Sequence, residues 1–138
     1  MDMKFTLDVT LAIIKAFPIT IYMTAIVFVI SIILAFILAM IHQFKVPVLS
    51  KVCSVYVSFF RATPLVPQLF LLYFGLPTIF PVLREIPPMV ICLTTLVLNT
   101  TAYMREVVRG AILSVPRGQI EAAYAHGMNE VQTMTRIV

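Results

Sequence analysis

The stretch from Ile19 to Ile41, ITIYMTAIVFVISIILAFILAMI, contains no charged side chain. A helix rises 1.5 Å per residue, so about 20 apolar residues cross the ~30 Å hydrocarbon core of a bilayer. This stretch meets that length. It also exceeds the roughly 7–15 apolar residues of a secretory signal core, and the residues before it carry Asp2 and Asp8 as well as Lys4 and Lys15. It therefore reads as a retained span. The whole chain agrees: 61% of its 138 residues are hydrophobic and 12% charged, against about 25% charged in soluble domains. A soluble single-core domain is disfavoured, and the expectation is an all-α integral membrane protein.

Working outward, the connection from His42 to Lys51 holds Lys45, Pro47 and Lys51 and no acid, which marks a short turn on the cytoplasmic side. A second apolar segment covers about 52–80, interrupted by Arg61-Ala62-Thr63-Pro64 and Pro67, and a third covers about 89–113. The loop between them is broken by Pro77, Pro81, Pro87 and Pro88. Lys4, Lys15 and Arg84 fall on one side of these spans, and Lys45, Lys51, Arg105, Arg109, Arg117 and Arg136 on the other. The cationic excess is expected inside, which places tail 1–18 in the extracytoplasmic space and residue 138 in the cytoplasm. The same distribution explains the net charge of +4 without a nucleic-acid partner. Cys53 and Cys92 lie in different apolar segments with no CxxC pair, so they read as reduced packing residues and no metal site is expected.

Within the second span, Pro64 and Pro67 each lack an amide donor and crowd the carbonyls of Phe60 and Thr63. Two breaks are expected to kink the helix, either as a bend in a packed bundle or beside a water-filled lumen, where irregular backbone is tolerated. Arg61 nearby is a charge within a span, which costs about 2.5–3.5 kcal/mol at the bilayer centre. On the third span, Thr95, Asn99, Tyr103, Glu106 and Gly110 recur every three or four residues and form one polar stripe. Arg109 is the i+3 partner of Glu106. Intramembrane ionisable residues are candidates for a pathway, whereas an amide such as Asn99 equally serves helix association. Thr20, Thr24, Ser31 and Ala35 give the first span a small face suited to close helix packing.

After the third span, Pro116 suits a helix's first turn with Ser114 as a nearby cap, and a helix runs through Glu121, Ala122, Ala123 and Tyr124. Gly127 can take the left-handed conformation that ends it, and Asn129 with Gln132 three residues on is the pattern of a capping box opening a second helix. The small residues Ala122 and Ala123 suit a partner's groove, with Tyr124 and Met128 as apolar anchors. A solvated hairpin without a partner fits the same composition. The chain has no GxxxxGK[ST] loop and no HExxH, so neither an ATP-phosphate cradle nor a zinc protease site is expected in it, and no catalytic residue is assigned.

Three motifs carry a family resemblance. Arg61-Ala62-Thr63-Pro64-Leu65-Val66-Pro67-Gln68-Leu69-Phe70, continuing to Tyr73-Phe74-Gly75-Leu76-Pro77, is similar to the RGTPLxxQLFxxYFGLP stretch of permeases for polar amino acids, with Ala62 and Pro67 as departures. Asn99-Thr100-Thr101-Ala102-Tyr103, Glu106 and Arg109-Gly110 resemble their NTAAYxxExxRG element. Glu121-Ala122-Ala123, Gly127 and Ile137 resemble the EAAxxxG loop of bacterial ATP-binding-cassette importer permeases. The resemblance covers residues 19–138 and implies a type-1 permease fold: three spans followed by a cytoplasmic coupling helix pair over about 114–138.

It further implies a membrane subunit of an ATP-driven importer of polar amino acids that binds no cofactor itself, with ATP and Mg on partner ATPase subunits. A second permease copy or paralogue, an extracytoplasmic amino-acid-binding protein and membrane lipid are the other implied partners. By motif position, Glu121, Ala122, Ala123 and Gly127 are the candidate ATPase contacts. Arg61, Thr63, Pro64, Gln68, Asn99, Glu106 and Arg109 are the candidate substrate path. The sequence stops before the family's Leu-Pro and last two spans, so a truncated permease is the expectation. The alternative function is a non-transporting membrane scaffold or small channel subunit whose stripe only holds helices together.

Overall fold

The computed structural model describes residues 3–44 and 46–137; expectations resting on Asp2, Lys45 and Val138 lie outside them. Among the described residues all regular structure is helical, as long apolar runs require where only a helix satisfies its own backbone. α1 spans Met3–Gln43, α2 Pro47–Ala62 and α3 Leu65–Phe70. A π-helical turn, Leu71–Gly75, leads into α4, Leu76–Ile79, and a 3-10 turn, Pro81–Glu85. α5 spans Pro88–Leu113, α6 Arg117–Ala125 and α7 Glu130–Arg136. α5 is the hub, packed by both α1 and α2.

The tail expected over 1–18 is not separate from the first span. α1 runs unbroken for 41 residues with Pro18 inside it, about 60 Å at 1.5 Å per residue. Pro18 removes a single amide donor from a long apolar helix, and Thr20 just beyond it donates its hydroxyl to Ala16 O at 3.2 Å. The side chains from Met3 to Tyr22 are exposed. Val27, Ser31, Ala35 and Ala39, spaced by four, are buried, and Ser31 donates to Val97 O of α5 at 3.2 Å. Ser31 and Ala35 thus pack as expected of the small face, while Thr20 and Thr24 stay exposed.

Among the described residues, α1 alone is a single helix long and apolar enough to cross a bilayer unaided. The second span is a broken pair, α2 with Leu65–Ile79, bent by 113°. α5 has 26 residues, about 39 Å of helix, with Arg105, Glu106 and Arg109 in its final third.

The expected pair of breaks is one corner. A residue before proline is driven out of the α region, and Thr63 sits at φ −113°, ψ 139°, ending α2. Pro67 makes no second break because it falls in the first turn of α3, where amides lack intrahelical partners in any case. Beyond it, Pro77 cannot donate to Tyr73 O. The chain widens there into the π turn, with Leu76 N–H donating to Leu71 O.

At the far end of α5, Ser114 is that helix's C-cap and not the N-cap of α6; its hydroxyl donates to Ala111 O at 2.7 Å, and Pro116 occupies the N-cap of α6 without a side-chain bond. Gly127 does take the left-handed form, at φ 79°. Gly127 N–H donates to Tyr124 O at 2.9 Å and Met128 N–H to Ala123 O at 3.1 Å, the two bonds of a Schellman stop. The capping box forms as expected: Asn129 Oδ1 accepts from Gln132 N at 2.8 Å, and Gln132 Oε1 accepts from Asn129 N at 2.9 Å.

Candidate functional site

The structure gathers the polar residues of the spans into two constellations. The first forms at the α2–α3 corner. In a continuous helix, Phe60 O and Thr63 O would accept from residues 64 and 67, and both of those are prolines. Gln68 replaces the missing donors. Its Nε2 lies 3.0 Å from Phe60 O, 2.9 Å from Thr63 O and 2.7 Å from Thr63 Oγ1, so two hydrogens serve three oxygens. Thr63 Oγ1 donates its own proton to Phe59 O at 2.8 Å. Gln68 Oε1 accepts from Asn99 Nδ2 of α5 at 2.9 Å. Thr63, Pro64, Gln68 and Asn99 therefore meet, and Gln68 is only 3% exposed.

The second constellation lies seven residues, or two turns, farther along α5 on the same face. Glu106 is its centre. Glu106 Oε2 accepts from Arg109 Nε at 3.0 Å and lies 3.7 Å from Arg61 Nη1, while Oε1 accepts from Arg105 Nη1. Arg61 also sits over the Tyr103 ring, 5.9 Å from its centroid. Glu106 and the three arginines line a polar cavity of about 270 Å³ together with His42, Ser54, Val57 and Ser58. His42 lies in the last turn of α1, and the ends of α1 and α5 share a second, apolar cavity with Val131 and Met134 of α7. The polar cavity is thus on the elbow's side of the bundle.

Arg105 was missed by the sequence reading. It lies off the 95–99–103–106–110 stripe, on the face of α5 that also buries Thr101 and Ala102, so periodicity passed it by. Its signal was simpler: a second arginine within four residues of Arg109 inside an apolar segment.

Electrostatically, one carboxylate faces three guanidiniums, leaving two positive charges over. The arrangement suits holding an anionic or zwitterionic group.

The coupling candidates occupy α6 and its stop. Glu121, Ala122 and Gly127 are exposed, and Tyr124 is half exposed. Ala123 turns inward at 3% exposure, so its small side chain serves the chain's own packing.

A family model described as binding-protein-dependent transport system inner membrane component matches residues 31–138. The probable amino-acid ABC transporter permease protein PatM of Vibrio harveyi is 42% identical over 99% of this chain and 61% of that protein. The probable amino-acid permease protein YxeN of Bacillus subtilis is 38% identical over the same shares. A crystal structure of an amino acid ABC transporter with histidines superposes with a TM-score of 0.87 at 28% identity, covering 97% of this chain and 61% of that one. The chain spans about three fifths of the length of these relatives.

Proposed function

The chain belongs to the binding-protein-dependent transport system inner membrane components, and on that footing we propose that it is the permease subunit of an ATP-driven importer of polar amino acids. It works in the bacterial inner membrane as a multi-pass protein, with the elbow on the cytoplasmic face. A second permease copy or paralogue encloses the path, and an extracytoplasmic binding protein delivers the solute. ATP and Mg act on separate ATPase subunits that the α6–α7 elbow contacts through Glu121, Ala122 and Gly127. The amino-acid class is that of PatM and YxeN, both probable amino-acid permeases.

The observation that supports this reading best is the elbow itself. Two short helices are fixed at a defined angle by a left-handed glycine and a closed capping box, leaving a rigid, exposed shape at the end of α5. A loop that transmits closure of a partner needs such stiffness, because coupling runs through packed bodies with discrete arrangements.

The test is Gly127→Val in cells expressing the complete transport system. A β-branched residue in the left-handed region costs at least about 1–2 kcal/mol, enough to re-aim the elbow. Amino-acid uptake is expected to fall at least tenfold while ATP hydrolysis persists. Uptake at wild-type rate would count against the coupling role.

One observation favours the alternative for part of the stripe. The Gln68 amide hydrogens and the Asn99–Gln68 contact are committed to the corner, so these two residues shape the path by holding its wall, whereas Arg61, Glu106 and Arg109 face the cavity.

A further inference from the structure

The polar cavity contains one group that the pathway reading did not use. Arg105 lines it and is 4% exposed. Its Nη1 donates to Glu106, but Nε and Nη2 have no acceptor among the described residues. Buried donors of this kind are few in native proteins, and leaving one unmet costs its full desolvation, more when it is charged. The neighbours do not meet the demand. Both oxygens of Glu106 are engaged by arginines, the Ser54 hydroxyl donates to Ser50 O at 2.8 Å, and His42 and Ser58 bring no negative charge. An apolar side chain of the same size would be the cheaper occupant of this position unless an anion visits it.

We propose that this cavity is an oxyanion site, in which a carboxylate or phosphate group accepts from Arg105 with Arg61 and Arg109 beside it. The planar guanidinium fork matches such groups with two parallel bonds. The volume of about 270 Å³ lies near the roughly 300 Å³ lower end of small-molecule pockets, enough for a carboxylate-bearing solute or a lipid headgroup. This deepens the pathway reading by naming the chemistry at its elbow-side end, and rests on it only for the site's place on a transport route.

The test uses the chain labelled with 15N-arginine in a maltoside detergent, which has neither phosphate nor carboxylate. The Arg105 Nε–H resonance is identified by its loss in Arg105→Lys or, should that variant not fold, by single substitution of the other arginines. Sodium acetate is then titrated against sodium chloride at equal ionic strength. Acetate is expected to shift the line saturably and chloride to leave it in place. Arg61→Gln, whose side chain is 47% exposed, is expected to weaken the acetate response roughly two- to fivefold.

Reconstitution into phosphatidylglycerol vesicles separates the two sources. A line already shifted and insensitive to acetate assigns the site to lipid phosphate, and a line that still titrates assigns it to a free carboxylate. Acetate and chloride acting alike in the detergent, or a titration unaltered by Arg61→Gln, overturns the proposal. The readout is binding alone, so its failure leaves the Gly127 coupling result intact, and failure of coupling leaves this titration intact.

Discussion

The corner at Pro64 and the cavity at Glu106 are both polar places on membrane helices, built on one face of α5 two turns apart, yet their accounts of donors and acceptors are opposite. At the corner, each carbonyl released by a proline is met by Gln68, and Gln68 is met by Asn99. At the cavity, three arginines share one carboxylate and Arg105 keeps unmet donors. Polarity in a span is therefore no sign of a site by itself. A closed network locks helices, and an open one with surplus charge awaits a ligand.

Breaking the lock carries the largest expected effect. Gln68→Leu strands Thr63 O and leaves Phe60 O and the Asn99 amide only the long 3.5 Å bond between them, and a loss of about 2–3 kcal/mol is expected from a buried group left unpaired, read as a lower unfolding midpoint in detergent. Asn99→Leu removes the 2.9 Å interhelical bond to Gln68 and the longer 3.5 Å one to Phe60 O, and is expected to cost about 0.6–1.7 kcal/mol, the range for interhelical bonds in membrane proteins. The double variant sharpens the point: its loss should fall short of the sum by about 0.5 kcal/mol or more, as for residues in one network. Additive losses would mean that the two amides act separately.

The smallest effect is expected at the cavity. Arg105→Met should change stability by less than about 1 kcal/mol and in either direction, because Glu106 retains Arg109 and the removed charge was incompletely paired. A loss as large as that of Gln68→Leu would make Arg105 part of a lock and erase the contrast.

Much of this architecture was legible beforehand. An apolar run longer than a bilayer is thick announced α1, and the Gly127 stop and Asn129–Gln132 box followed from local chemistry that burial does not override. The extent of α1 was not legible, because Pro18 and the charges before it resemble a helix boundary while a long apolar helix tolerates a single lost donor. Nor was the single corner: two prolines three residues apart count as two breaks in sequence, but the first begins a new helix whose opening turn accommodates the second. In the site, the stripe rule placed Asn99 and Glu106 on one face and could not tell a satisfied amide from an unsatisfied cluster. That distinction depends on Gln68, 31 residues from Asn99, and on Arg105, which the stripe omits.

The most direct measurement for the account is photo-cross-linking from the elbow, with p-benzoylphenylalanine in place of the half-exposed Tyr124 in cells expressing the complete transport system. The account predicts an adduct whose partner peptide, identified by mass spectrometry, lies in the ATP-binding-cassette ATPase, and whose yield changes when ATP hydrolysis is blocked. Adducts only to lipid or to other copies of this chain, with the ATPase present in the same membranes, would contradict it.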